Sequence, residues 1–83
     1  MVLSGLSRSE KLIGKLLGFP TEMRFSEVKK ILEWHGYVED NSEGSHHVFR
    51  KAGAPRIDIP KKGGQTVKRV YLKLLAEKLR LEE

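Results

Sequence analysis

The chain has 83 residues, which suffice for one domain with a thin hydrophobic core but not for a second domain or a deep cleft. It contains no cysteine, which excludes a disulfide scaffold and a zinc–thiolate site. Its net charge of +5 is uneven, with six Lys or Arg against seven Asp or Glu up to Glu43 and ten against four from Gly44 onward. A basic half of this kind suits a polyanion such as nucleic acid, but equally a solvated surface or an acidic protein partner.

One short helix is predicted in the first 24 residues. Ser7 and Glu10 have the spacing of a capping box, and Gly18 with Pro20 ends the helix after residue 17. Residues 19–24 are predicted to be a short connector. Its apolar residues recur at helical spacing and are Leu12, Ile13, Leu16 and Leu17. This stripe either adds to the core or contacts a second chain. No run here is long and apolar enough for a signal peptide or a membrane span, so we expect a cytoplasmic protein without membrane contact.

A second helix is predicted from Phe25 to Trp34, where the apolar residues again keep helical spacing. The residues on its apolar face are Phe25, Val28, Ile31 and Leu32. Gly36 supplies the break at its C-terminal end. His35 lies at that end, where a cationic ring suits the helix dipole, and we interpret it as structural.

Three short strands are predicted next, in the segments YVED (37–40), HHVFRK (46–51) and RIDIP (56–60). The turn sequences NSEG and AGAP separate them, so they form an antiparallel meander. After the loop KKGG (61–64), a last helix is predicted from about Thr66. Its predicted buried stripe is Val67, Val70, Tyr71, Leu74 and Leu75. The order α-α-β-β-β-α predicts an α+β two-layer sandwich, with the helices on one face of a three-stranded antiparallel sheet and the other face open.

The adjacent histidines His46 and His47 are expected on opposite faces of this sheet, because successive strand residues alternate. Phe49 is the best core candidate on the strand, and it shares its parity with His47. His46 is therefore expected on the open face with Arg50 and water, whereas His47 is expected to pack under the helices.

An exposed histidine beside cations suits cleavage of RNA, because the ribose 2′-hydroxyl supplies the nucleophile and neither a protein nucleophile nor a metal or other cofactor is needed. His46 would transfer the proton, Gly44 would allow a tight turn, and Ser45 could hydrogen-bond the ring or a phosphate. The cations that could hold the phosphate are Arg50, Lys61 and Lys62. The alternative is a tight turn followed by ordinary surface histidines. No metal site is predicted, since the three histidines lack further ligands at metal spacing.

The segment from Phe25 to Leu81 resembles the HicA family of bacterial and archaeal toxins, also called YcfA-like proteins. It reads FSEVKKILEWHGYVEDNSEGSHHVFRK…RIDIPKKGGQTVKRVYLKLLAEKLRL. The most specific parts are the helix that ends in HGY, the GSH turn with an aromatic at Phe49, and the IDIP…GG strand and loop. On this basis residues 1–24 are an N-terminal helical extension and residues 25–83 are the HicA-like domain, in one compact domain overall.

The resemblance implies a double-stranded-RNA-binding-domain-like fold and a small, ribosome-independent mRNA interferase. It implies that His46 is the catalytic residue, supported by the turn at Gly44 and Ser45, with His47 as the second choice. It also implies a HicB-type antitoxin that covers the histidine. The expected assembly is either a homodimer or a heteromeric toxin–antitoxin complex. The residues expected to bind RNA are Arg50, Lys51, Arg56, Lys61, Lys62, Lys68 and Arg69.

Two other hypotheses fit the same residues. In the first, the chain is a non-catalytic RNA-binding module of the same fold, and His46 is only a contact. In the second, the basic face serves mainly an acidic protein partner.

One departure from the family pattern concerns the last helix, where a Pro-Gly-Thr-like start is replaced by residues 69–71, and we therefore expect that helix to begin earlier.

Overall fold

The computed structural model describes residues 8–43, 46–60 and 65–81. Its elements in chain order are α1 (Arg8–Leu17), β1 (Glu22–Arg24), α2 (Phe25–Trp34), β2 (Val38–Glu43), β3 (His46–Arg50), β4 (Ile57–Pro60), β5 (Thr66–Lys68) and α3 (Arg69–Lys78). Three helices and antiparallel sheets make a small α+β fold, which confirms the predicted class. None of the described helices is long and apolar enough to cross a membrane.

The predicted meander is present as a sheet with the order β2-β3-β4, in which both pairs are antiparallel. The central strand begins with His46, which lies opposite Glu43 on β2 and Pro60 on β4. The first three residues of the predicted NSEG turn belong instead to β2, which continues through Glu43. Gly44 and Ser45, like Ser7 of the predicted capping box, lie outside the described residues.

A β-bulge interrupts the pairing of β2 with β3. Glu39 lies opposite Phe49 and Asn41 lies opposite Val48, so Asp40 is an extra residue on β2. A bulge changes which face of the sheet the neighbouring side chains occupy. Here it leaves Glu39 on the face of the buried Phe49 and sends Asp40 toward the open face.

The core lies between the helices and one face of this sheet. The rings of Phe25 and Phe49 join the two layers, with centroids 6.1 Å apart. The apolar face predicted for α2 is confirmed, since its four members are all buried: Phe25, Val28, Ile31 and Leu32. Leu16 of α1 is fully buried in the same core, and the other three apolar residues of that stripe pack against it. The N-terminal stripe therefore adds to the core.

A second, two-stranded sheet was not predicted. β1 pairs with β5 in antiparallel register, and the pairing continues at the helix starts. The backbone N–H of Phe25 donates to the Gln65 carbonyl (2.8 Å), and the N–H of Arg69 donates to the Thr21 carbonyl (3.0 Å). The prediction that residues 19–24 are only a connector is thus wrong. Strands of three residues are too short to show an alternating pattern.

The last helix differs from the prediction in both its start and its buried face. Thr66 and Val67 belong to β5, so α3 begins at Arg69 and the expectation of an earlier start is wrong. The strand keeps Val67 buried but breaks the helical phase that linked it to the residues that follow. The buried residues of α3 are Leu72, Leu75 and Ala76, whereas Val70 is 65% exposed and Leu74 is 41% exposed.

The two strand–helix units are repeats of one backbone design. Residues 21–37 and 65–81 occupy equivalent positions in the two units, 44 positions apart in the sequence, so that Glu22 is equivalent to Thr66. In each of these two units the helix ends with a backbone hydrogen bond from the second residue beyond the cap: Tyr37 N–H to Leu32 O (3.0 Å) and Leu81 N–H to Ala76 O (2.9 Å). In each unit the preceding residue has a positive φ: Gly36 (90°) and Arg80 (57°). The three-stranded sheet is thus inserted between two similar units.

Candidate functional site

His46 is exposed at the first position of the central strand. The burial of β3 alternates as predicted, with His47 (8% exposed) and Phe49 (0%) facing the core and His46 and Arg50 in solvent. The expected separation of the two histidines onto opposite faces is therefore confirmed. His46 lies at the end of the sheet where β2 and β4 also end, opposite Glu43 and Pro60.

Arg50 shares the open face with His46 but does not lie beside it. Four strand positions separate the two residues, which is about 13 Å at the usual rise per residue. The Arg50 guanidinium instead pairs with Asp40 across the bulge, with Nε 2.6 Å from Oδ2. Both side chains are 54% exposed, so water and salt weaken this pair.

Arg56 behaves similarly on the neighbouring part of the sheet. Its Nε lies 3.2 Å from Oδ1 of Asp58, and both side chains are about half exposed. The two described arginines of the open face are thus each paired with a carboxylate of the chain itself. An incoming phosphate would have to compete with those carboxylates for the arginines. Exposed ion pairs are weak, so breaking them costs little free energy.

The remaining predicted RNA contacts are spread over several elements. Lys51 lies over the Tyr37 ring, with Nζ 5.6 Å from its centroid. Lys68 is exposed at the end of β5. Arg69 donates to the Pro20 carbonyl (3.3 Å) and to Oγ1 of Thr21 (3.4 Å). Lys61 and Lys62 lie outside the described residues.

His47 lies in a polar cluster at the edge of the core. Its ring contacts the Phe25 ring, with centroids 4.4 Å apart and planes tilted by 42°. Its Nδ1 is hydrogen-bonded to Oε2 of Glu39. The other carboxylate oxygen of Glu39 lies 3.1 Å from Nζ of Lys29 on α2. Three elements are therefore joined through one carboxylate.

The electrostatics of this cluster fix the state of the carboxylate. The pKa of Glu39 is lowered from its usual value, chiefly by the hydrogen bond from His47; burial raises it, and Lys29 lowers it further. Because a carboxylate accepts, Nδ1 of His47 carries the proton and donates. Nε2 of His47 is buried and has no hydrogen-bond partner among the described residues. The ring is therefore already engaged on one side and enclosed on the other.

Sequence reasoning missed Glu39 and Lys29. A signal for Glu39 was present, because it has the same parity as Tyr37, which is buried at the start of the same segment. A carboxylate that faces a core on a strand next to a buried histidine indicates a hydrogen bond. No comparable signal existed for Lys29, whose position on the polar side of α2 suggests only solvent.

No group of three or more His, Cys, Asp or Glu that could hold a metal ion is found in the parts of the chain that the structure describes.

The family model for the HicA toxin of bacterial toxin–antitoxin systems matches residues 25–81, which is more than half of the chain. The chain belongs to the HicA toxin family. This membership confirms the resemblance seen in the sequence over the same residues, and it makes the chain the toxin of a toxin–antitoxin system. A HicA toxin implies an antitoxin partner. No curated protein and no solved structure matches the chain at a significant level.

Proposed function

We propose that this HicA toxin is an mRNA-cleaving endoribonuclease in which His46 transfers the proton and no metal takes part. The observation that supports it best is the exposed imidazole at the end of the central strand, on the uncovered face of the sheet. That position leaves the ring open to a ribose–phosphate strand. The excess of Lys and Arg after Gly44 supplies the positive charge that draws such a strand in.

The chemistry needs few protein groups. The 2′-hydroxyl of a ribose attacks the adjacent phosphorus, and the bond from phosphorus to the 5′-oxygen of the next nucleotide breaks. His46 takes the proton of the 2′-hydroxyl, gives a proton to the leaving 5′-oxygen, or does both in turn. A cation stabilises the negative charge that grows on the phosphoryl oxygens.

Lys61 and Lys62 are the better candidates for that cation. They follow Pro60 directly in the sequence, and Pro60 is the cross-strand partner of His46. Arg50 lies about 13 Å further along the strand and is paired with Asp40, so it suits a flanking phosphate. The other proposed RNA contacts, Lys51, Arg56, Lys68 and Arg69, would hold more distant parts of the strand. Gly44 and Ser45 would shape the turn that presents the histidine.

The antitoxin we propose is a HicB-type protein that covers His46 and competes with mRNA for the same face. The complex would act in the cytoplasm, where mRNA is found. Whether the toxin is a monomer or a homodimer before it meets the antitoxin does not affect the chemistry proposed for His46.

The deciding experiment compares RNA cleavage by the wild-type chain, His46→Ala and His47→Ala. Loss of a general acid–base group lowers the rate by about 10²–10⁴-fold, and we expect a loss of this size for His46→Ala with its fold intact. His35→Gln is the matched control, because His35 lies at the end of α2 and its Nδ1 bonds the Ile31 carbonyl (2.9 Å). The control should cleave RNA like the wild-type chain.

Two outcomes would count against the proposal. If folded His46→Ala cleaves RNA and arrests growth like the wild-type chain, His46 is not catalytic. If the wild-type chain binds RNA in a salt-sensitive way but never cleaves it, the chain is a non-catalytic RNA-binding module.

A further inference from the structure

We propose that His47 is a positioning residue for His46, held in place by Glu39 and Lys29, and that it is not a second catalytic group. This inference rests on the proposed function of His46. It assigns separate tasks to two adjacent residues of the same type, and it gives a task to two residues that the sequence did not single out.

The first argument is that His47 cannot reach a substrate from its place in the structure. The residue is 8% exposed, its Nδ1 is hydrogen-bonded to Glu39, and its Nε2 is buried. A general base must lie within hydrogen-bond reach of the proton that it takes. To do so, His47 would have to leave both the Glu39 carboxylate and the Phe25 ring.

The second argument is that the ring of His47 is fixed from two sides. The Phe25 ring lies on one side at 4.4 Å between centroids, and the Glu39 carboxylate holds Nδ1. Lys29 in turn holds the carboxylate at 3.1 Å. Since His46 and His47 share a peptide bond and point to opposite faces, fixing one side chain fixes the backbone that aims the other.

The third argument is that the arrangement is costly to the fold. Nε2 of His47 is buried with no hydrogen-bond partner among the described residues, which destabilises the fold, and an apolar residue in this place would avoid that loss. The bulge at Asp40 adds a local disruption of the sheet, and it is what keeps Glu39 on the face of His47. Bulges occur often beside active sites, where they re-aim a side chain.

The test uses two substitutions of His47 that differ in one property. The amide of Asn can donate from nearly the same place as Nδ1 of histidine, whereas Phe fills the space but cannot donate. We expect His47→Phe to lose about 100-fold in kcat with KM nearly unchanged, because a shift of about 1 Å in a catalytic group has an effect of this size. His47→Asn should recover most of that loss.

A second pair of variants acts from the surface, in case His47→Phe does not fold. Lys29→Met removes the cation that holds Glu39, and Lys30→Met is its matched control one position along the same helix, at an exposed residue. We expect a severalfold loss of kcat for Lys29→Met only. Wild-type kcat in folded His47→Phe, equal losses for His47→Phe and His47→Asn, or wild-type kcat in Lys29→Met would each overturn the proposal.

Amide hydrogen exchange separates this proposal from the proposed function. We expect faster exchange at His46 in His47→Phe than in the wild-type chain, and near-normal exchange in His47→Asn. If the wild-type chain does not cleave RNA, the proposed function fails, yet this readout still decides whether His47 holds the strand. Unchanged exchange at His46 in His47→Phe would overturn the positioning role itself.

Discussion

His46 and His47 show how far apart two neighbouring residues of one type can be in environment. One ring is exposed at a strand end, and the other is enclosed by Phe25 and bonded to Glu39. Parity along the strand predicted this separation, because Phe49 marked the core face. The residues that engage His47 come from two other elements, and contacts between elements leave little trace in a single sequence.

The carboxylate of Glu39 makes the stability of the fold depend on pH at the acidic end. Its pKa is lowered in the folded chain, so it stabilises the fold above its unfolded pKa and this contribution is lost as the pH falls through the folded value. The titratable groups that face it are Lys29 and His47. We expect Glu39→Gln to be less stable than the wild-type chain at pH 7, with a difference that narrows below about pH 4.5.

Urea unfolding at a series of pH values from 7 to 3 measures this difference. Asp58→Asn is a suitable control, since it removes a carboxylate that is 46% exposed and lies on the other face of the sheet. A gap between Glu39→Gln and the wild-type chain that stays constant over the whole series would show that the charge of Glu39 does not stabilise the fold.

At the scale of elements, two glycines in different backbone conformations give opposite expectations. Gly36 has a φ of 90°, and a Cβ there would lie 3.3 Å from Cε of Lys51. A side chain in left-handed backbone costs about 1–2 kcal/mol. Gly14 lies inside α1, where an added Cβ meets nothing within 4 Å, and alanine is about 0.5–1 kcal/mol better than glycine in a helix interior.

We therefore expect Gly36→Ala to lower the free energy of unfolding and Gly14→Ala to raise it. Chemical denaturation of the two variants beside the wild-type chain checks both signs in one experiment. Equal shifts in the same direction would contradict the backbone conformation at one of the two sites.

Whether a helix or strand could be predicted from the sequence depends on its length. The bounds of α2 follow from ten residues of clear helical spacing and a glycine break, and the structure confirms them. β1 and β5 have three residues each, and their pairing joins residues that are 42 to 46 positions apart in the sequence. The prediction that Val70 and Leu74 are buried is wrong for the same reason. It counts the helical phase from Val67, which belongs to the missed strand β5.

At the scale of the whole molecule, Leu16 decides how the N-terminal segment relates to the rest. Its side chain is fully buried, and α1 packs against both α2 and α3. Truncation of a buried leucine costs about 2–5 kcal/mol, so we expect Leu16→Ala to lower the melting temperature of the whole chain in one cooperative transition. Leu17→Ala, at a partly buried neighbour, should have a smaller effect.

Circular dichroism during heating measures both variants. If Leu16→Ala left the main transition unchanged, residues 1–24 would be a separable extension and not a part of the core. The division of the chain at residue 24 describes the family match, whereas this experiment tests the folding unit.

The pairing of β1 with β5 has a consequence for how the toxin is made. Thr66 lies opposite Arg24, and four of the buried core residues follow in the sequence: Val67, Leu72, Leu75 and Ala76. A ribosome that has released only the first sixty residues has delivered both histidines without β5 and α3, which supply these core residues. The toxin can therefore fold only after the last part of its coding sequence has been translated. Until then the nascent polypeptide lacks part of its core.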